Sequence, residues 1–115
     1  MKKIKYTPDV ADKLRALKSE ISQEYGSDRA KKIVKSITDA IRGLYDYEEK
    51  GPEVSKMFDV VSDYRYIFVS GNYVFYRIED KCIRIINLYH EKEDFMWHLF
   101  GVDTTPQETI DYWNE

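Results

Sequence analysis

The sequence predicts an α+β fold: a small antiparallel sheet of about four strands, with an N-terminal helical hairpin packed on one face and a short helical C-terminal tail. Three observations predict it. Apolar residues recur with a helical period in the first half of the chain and with a period of two from residue 60 onward. Clusters of turn residues divide the second half into short segments. The length of 115 residues fits a single domain, residues 1–115.

The first half of the chain is predicted to form one strand followed by two helices. Residues 2–6 alternate weakly, as an edge strand does. Thr7-Pro8-Asp9 supplies an N-cap hydroxyl, a proline at the first helical position and an early acid, so a helix begins here and ends at Gly26. Ser27-Asp28 is a second cap, and the helical period then continues to the stop signal Gly51-Pro52.

The second half predicts three strands, at residues 64–69, 73–78 and 82–90, joined by tight turns at residues 70–72 and 79–81. Such an antiparallel meander is apolar on both faces. One face packs on the helical hairpin, and the other must be covered too or serve as a binding surface. After His90 the pattern predicts a short apolar helix closed by Gly101 and a last helix that starts at the capping box of residues 105–108.

Charge and composition exclude several classes of protein. Lys and Arg total 18 against 21 Asp and Glu, so the net charge of -3 disfavours a general nucleic-acid binder. The acids are unevenly placed, because residues 93–115 hold six acids and no Lys or Arg. The acidic C-terminal extension, residues 102–115, either covers part of the more basic sheet or adds surface only. A single cysteine, Cys82, and the lack of a long apolar stretch indicate a cytoplasmic protein with no membrane partner.

No motif for a nucleotide, a dinucleotide or a structural zinc is present, so we expect no cofactor and no metal. The remaining chemistry lies in cations on the strands. Arg84 and His90 differ by six positions, which predicts that they share one face of the third strand, with Arg65 or Arg77 nearby. Such a cluster binds a phosphate and, with His90 as proton carrier, would cleave RNA. The competing interpretation is a set of solvated or paired surface residues. The strand tyrosines likewise suit either base stacking or sheet packing.

The order of elements and several local sequence segments resemble those of a known family. The start KYTPDVADKLRALKSEI, the hairpin SGNYVFYRIEDKCIRIINLYHEKEDF and the closing HLFG are similar to the RelE/ParE superfamily of toxins from bacterial type II toxin-antitoxin modules. The resemblance covers roughly residues 2–101. It implies a small sheet that carries an N-terminal helical hairpin, and a cognate antitoxin whose extended segment covers the toxin. An antitoxin would also occupy the second apolar face of the sheet, which we expect to be exposed.

Two mechanisms occur in that superfamily. The RelE-like branch cuts mRNA on the ribosome without a metal, and the ParE-like branch poisons DNA gyrase by binding. Arg65, His90 and Lys92 match basic positions of the RelE-like pattern, whereas Ile67 and Val74 stand where it has cations. With Arg84 from the strand pattern, the candidate catalytic residues are Arg65, Arg84, His90 and Lys92.

Three hypotheses therefore stand at the level of sequence. The first is a metal-independent endoribonuclease toxin that cleaves mRNA on the ribosome. The second is a gyrase inhibitor that acts by protein-protein contact through its helical hairpin and tail. The third is a stable, antitoxin-binding member of the family that is no longer toxic. All three predict an antitoxin gene beside this one.

Overall fold

A four-stranded sheet with two N-terminal helices on one face forms the body of the protein, as a computed structural model of residues 2–57 and 60–91 describes it. The predicted α+β fold class is confirmed. In chain order the elements are β1 (Lys3–Tyr6), α1 (Pro8–Tyr25), α2 (Ser27–Arg42), a 3-10 turn (Gly43–Tyr45), α3 (Val54–Met57), β2 (Arg65–Val69), β3 (Asn72–Ile78) and β4 (Cys82–His90). The strand order is β1-β4-β3-β2.

The meander of β2, β3 and β4 is antiparallel, as predicted. The turn between β2 and β3 places Ser70 and Gly71 at φ 51° and 75°, the left-handed pair that a two-residue hairpin turn requires. β1 forms an edge of the sheet, but it pairs with β4 in the parallel sense, with Tyr6 beside Ile85. The sheet is therefore mixed.

Thr7 connects β1, α1 and β4. Its Oγ1 accepts a hydrogen bond from the backbone N–H of Val10 at 3.3 Å, which confirms the predicted N-cap. The same hydroxyl donates to the carbonyl oxygen of Ile86 at 2.9 Å. The start of α1 is thus fixed against the middle of β4.

α2 is shorter than predicted. It ends at Arg42 and not near residue 50, and a single 3-10 turn carries Leu44 into the core, where it is fully buried. The apolar period therefore continues for one turn beyond the helix. Residues 48–51 leave the helical path because their backbone groups bind side chains of the sheet. The sequence also gave no signal for α3, which is only four residues long.

The main core lies between the helical hairpin and one face of the sheet. Fully buried members from the helices are Val10, Ile37 and Ile41, and those from the sheet are Val74, Tyr76, Ile83 and Ile85. Each such side chain contributes about 1.5 to 3 kcal/mol relative to an exposed one. We call this side of the sheet the helix face.

β4 contains a bulge that changes which side chains share a face. Tyr76 pairs with Ile85 and the preceding residue, Phe75, pairs with Asn87, so Ile86 is an extra residue in β4. Because strand side chains alternate between faces, one extra residue inverts the alternation beyond it. Side chains of β4 before and after Ile86 therefore follow opposite parity.

The opposite face of the sheet, which we call the second face, is also buried within the chain at its centre. Phe75 is 0% exposed, Tyr89 4% and Tyr66 8%, and they pack with Val54 of α3. The expectation of an exposed apolar face that only an antitoxin would cover is therefore wrong for the centre of this face, whereas Phe68 at its edge is 50% exposed. Its physical reason is that α3 and the segment before β2 return beneath the sheet, where Val54, Val60 and Tyr64 supply apolar cover.

Several predicted features lie outside the described residues: the helix closed by Gly101, the last helix, the acidic extension of residues 102–115 and Lys92. Within residues 2–57 and 60–91, no helix has the length and apolar character needed to cross a bilayer.

Candidate functional site

Of the four predicted catalytic residues, the three that the structure describes do not meet at one place. Arg84 pairs with Arg77 across β3 and β4 and lies on the second face. Arg65 pairs with Tyr76, and His90 pairs with Asn72, so both belong to the helix face. The prediction that Arg84 and His90 share a face is wrong, because the bulge at Ile86 lies between them.

Arg65 and His90 are also far from each other on the helix face. Their strand partners on β3 are four residues apart, which is about 13 Å along the strand. Arg65 lies on the edge strand β2, whereas His90 ends β4, on the other side of β3. No shared phosphate would contact both side chains together with Arg84.

Arg84 is bound to an acid that the sequence analysis did not single out. Glu79, in the turn between β3 and β4, accepts hydrogen bonds from Arg84 Nε at 2.9 Å and from Arg77 Nη2 at 2.9 Å. The Cys82 thiol donates to the same carboxylate at 3.3 Å. Arg77 does lie opposite Arg84, as the meander predicted, but both guanidinium groups share one counter-charge.

These bonds set the electrostatics of the turn. Arg84 first, then Arg77 and Cys82, lower the pKa of Glu79 from its ordinary 4.5 to about 2. Glu79 in turn raises the pKa of both arginines. The carboxylate is therefore ionised throughout the physiological range, and it forms ion pairs with both arginines. One sequence signal would have found Glu79: it is an acid in a turn that is flanked by arginines on paired strands.

Arg65 holds a loop in place. Its Nη1 donates to the carbonyl oxygens of Gly51 at 2.8 Å and Glu49 at 3.4 Å, and its Nη2 lies 3.5 Å from a carboxylate oxygen of Glu53. All of these partners precede β2 in the chain. Arg65 therefore fastens the connection between the helical hairpin and the sheet.

Tyr76, which is buried in the core, binds the same connection. Its hydroxyl donates to the carbonyl oxygen of Glu48 at 2.7 Å and accepts from the backbone N–H of Gly51 at 2.9 Å. Burial is the main cause that raises the pKa of the Tyr76 phenol. A side chain that the sequence identified as a strand tyrosine thus anchors residues 48–51.

His90 borders a different feature, a groove between the helices and the end of the sheet. The groove encloses about 380 Å³ and is lined by Leu17, Ile21 and Ile33 from the helices and by Ser70, Asn72 and His90 from the sheet. Two acids of α1, Glu20 and Glu24, lie at its rim. None of the three strand arginines, Arg65, Arg77 and Arg84, lines this groove.

The tyrosines proposed for base stacking are mostly packing residues. Tyr66 and Tyr89 are buried, and Tyr66 contacts Tyr73 edge-on with ring centroids 5.7 Å apart. Tyr73 in turn stacks on Phe75 at 6.2 Å. Of the two interpretations, sheet packing describes these side chains. Among the residues that the structure describes, no three His, Cys, Asp or Glu side chains are grouped so as to hold a metal ion.

Comparison with known proteins agrees with the fold. The family model described as "ParE toxin of type II toxin-antitoxin system, parDE" matches residues 4–95. A chain in the solved structure of the "Chromosomal ParDE TA system from P. aeruginosa" is similar, with a TM-score of 0.67 and 21% identity over 78% of this chain and 96% of that one. At that identity the likeness concerns the fold alone. No curated protein sequence matches. The family match spans most of the chain, which therefore belongs to the ParE toxin family of type II toxin-antitoxin systems.

Proposed function

We propose that this toxin arrests growth by binding DNA gyrase, without chemistry of its own, and that a cognate antitoxin neutralises it. The observation that supports this proposal most directly is the separation of Arg84 from His90 by the thickness of the sheet. The gyrase target follows from the ParE-like branch of the superfamily.

RNA cleavage requires a specific arrangement of charged groups. Without a metal, the reaction needs cations around one phosphate and a proton carrier within hydrogen-bond distance of the attacking hydroxyl. Here Arg84 is committed to Glu79 and Arg65 to backbone carbonyls. Freeing either arginine would leave its partner without a charged hydrogen bond, which costs free energy. Contact with a protein target requires no such cluster.

The antitoxin belongs to the same proposal. A toxin of a type II module is made together with a protein that neutralises it, and the family match supports such a partner. We expect a small antitoxin reading frame next to this gene, and we expect its product to form a stable complex with this chain. Co-purification of the two proteins measures whether this complex forms.

Two assays, one with the purified toxin and one in cells, test the target. Purified toxin is added to a gyrase supercoiling reaction, and the toxin is separately induced in cells without antitoxin while the ends of messenger RNA are mapped. We expect supercoiling to fall and the messages to stay intact. Unchanged supercoiling would refute the proposal.

The competing hypothesis, cleavage of mRNA on the ribosome by Arg65, Arg84, His90 and Lys92, predicts new RNA ends near ribosomes at the onset of growth arrest. Normal growth in the absence of antitoxin would instead support the non-toxic member of the family. The two assays therefore separate all three hypotheses.

A further inference from the structure

The side of α2 that points away from the core is basic. The helix carries five Lys and Arg side chains against two acids, whereas α1 carries three against four. Four of the five cations lie opposite the core side of the helix, at helical spacing. These four are all exposed: Lys31, Lys32, Lys35 and Arg42. We call them the basic face of α2.

Two lysines of the basic face have no counter-charge in the described part of the chain. Asp39 binds Lys35 at 2.7 Å and lies 3.6 Å from Arg42, so it partly neutralises this end of the face. Lys31 and Lys32 form no ion pair with any residue of the ranges 2–57 and 60–91. The basic face therefore retains positive charge that an acidic segment would neutralise.

The arginines of the sheet offer less to such a segment. Arg77 and Arg84 already share the carboxylate of Glu79 at 2.9 Å each. Arg65 lies 3.5 Å from a carboxylate oxygen of Glu53 and donates to backbone carbonyl oxygens. Between the two basic surfaces, α2 is the one with unneutralised cations.

The acidic extension, residues 102–115, carries the complementary charge. It holds four acids and no Lys or Arg. The match to the ParE family ends at residue 95, so the extension lies beyond the part that this chain shares with the family. Tyr112 and Trp113 add aromatic rings, whose faces attract the ammonium group of lysine.

The described part of the chain ends beside α2. The backbone N–H of Glu91, the last described residue, donates to the carbonyl oxygen of Gly71 at 3.0 Å. The neighbouring residue, Ser70, places its Oγ 2.7 Å from Oγ of Ser36 on α2. Ser36 lies one helical turn after Lys32, so the two side chains are neighbours on the helix. Residues 92–101 span up to about 35 Å when extended, and α2 is about 24 Å long, so the extension can reach the whole basic face.

We propose that the acidic extension binds the basic face of α2 in the same chain, with its carboxylates at Lys31 and Lys32. Exposed ion pairs are individually weak, but a segment tethered beside its site acts at an effective concentration of about millimolar. The other helix is unsuitable, because Glu20 and Glu24 of α1 would repel the extension near the end of β4. The extension would shield α2 from other acidic partners. This inference does not depend on the cellular target of the toxin.

Cross-linking of the full-length chain with a carbodiimide tests the contact, because the reagent joins a carboxylate to a lysine amine only where the two meet. Lys18 is the control, since it is exposed on α1 and also forms no ion pair among the described residues. We expect residues 102–115 to cross-link to the α2 lysines at least about fivefold more often than to Lys18, and this preference to vanish at about 1 M salt, where charges are screened within about 3 Å.

A pair of variants tests the charge of the face while keeping one lysine as the reporter. Lys31→Gln combined with Lys32→Gln should lower cross-linking at Lys35 by about fivefold, because most of the attraction is removed. Lys18→Gln should leave cross-linking at Lys35 within about twofold of wild type. All of these positions are exposed, so the variants are expected to fold, and thermal unfolding checks this.

Cross-links that are absent, or as frequent at Lys18 as on α2, would overturn the inference and show that the extension only adds surface. Equal cross-linking at Lys35 in wild type and in the double variant would also overturn it. A mixture of isotopically light and heavy chains identifies the occupant. Cross-links within one chain support the inference, and cross-links between light and heavy chains would instead show that the extension binds a second copy.

Discussion

Arg84 and His90 lie on opposite faces of β4, although they are separated by an even number of residues, because Ile86 is an extra residue between them. The carbonyl oxygen of Ile86 accepts a hydrogen bond from the Thr7 hydroxyl, so the irregular position is fixed from outside the strand. The relationship disfavours a ribonuclease mechanism, since the two side chains would have to act on one phosphate in a ribonuclease.

The first prediction concerns His90. If the toxin acts by binding gyrase, His90→Gln should arrest growth at the same expression level as wild type. A proton carrier typically contributes about 10² to 10⁴-fold to a reaction, so its loss from a ribonuclease would be easily seen. Growth is followed over a series of inducer concentrations, with protein levels measured in parallel.

Loss of growth arrest in a His90→Gln protein that is as abundant and as stable as wild type would contradict this prediction. That result would support mRNA cleavage instead. The same series with Arg84→Gln is less informative alone, because that change also removes a hydrogen-bond partner of Glu79.

The second prediction concerns acid stability. The pKa of Glu79 is about 2 in the folded chain and near 4.5 when its partners are lost. The unfolded chain therefore binds the proton first as the pH falls. Glu79 stabilises the fold above pH 4.5, and this contribution is lost as the pH drops from 4.5 to about 2.

We expect the urea midpoint of wild type to fall more steeply over that window than the midpoint of Glu79→Gln, which has no carboxylate to protonate there. Glu24→Gln, a change of an exposed acid on α1, serves as the control and should follow wild type. Parallel curves for wild type and Glu79→Gln would show that Arg77 and Arg84 do not hold this carboxylate in solution.

The third prediction concerns residues 48–51, whose backbone Tyr76 and Arg65 bind. Gly51 is buried, and a Cβ there would lie 2.8 Å from the Tyr76 hydroxyl and in collision with the Tyr66 carbonyl oxygen. Because the nearest atom belongs to backbone, it cannot move aside cheaply. We expect Gly51→Ala to lower the free energy of unfolding by about 1 to 3 kcal/mol.

The matched control for this prediction is Gly43→Ala. Gly43 has helical dihedral angles, φ -59° and ψ -22°, and a Cβ there would meet no atom within 4 Å. Alanine should stabilise this position by up to about 1 kcal/mol, because it restricts the unfolded chain without strain. Equal effects of the two changes, measured by urea unfolding, would contradict the close packing at Gly51.

Most of the architecture could be predicted from the sequence, but little of the candidate site could. Local signals were sufficient where the cause is local: Thr7 and Pro8 start α1, and Ser70-Gly71 forms the hairpin turn. The bulge is different. Nothing in the run Ile85-Ile86-Asn87 marks it, because the group that holds it is the hydroxyl of a residue 79 positions earlier.

The contacts of Tyr76 and Arg65 with residues 48–51 could not be predicted from the sequence for the same reason. Tyr76 fits the alternation of a strand, and its phenol ring is indeed core, but its hydroxyl binds backbone groups 25 and 28 residues upstream. Arg65 fits the pattern of a surface cation and instead binds carbonyl oxygens of Glu49 and Gly51. Periodicity predicts which face a side chain takes when the strand is regular, and it does not predict which distant atoms the side chain meets.

The last prediction tests whether the second face is core. Phe75 is fully buried there, whereas Phe68, on the same face at the edge strand, is 50% exposed and contacts Tyr73 with ring centroids 4.9 Å apart. Phe75→Ala should lower the free energy of unfolding of the isolated toxin by about 3 to 5 kcal/mol, because it leaves a cavity among packed rings. Phe68→Ala should cost clearly less, since much of its ring already contacts water. Urea unfolding of both variants without antitoxin decides it: a small cost for Phe75→Ala would mean that the face is packed only when a partner covers it, and the antitoxin would again be its expected occupant.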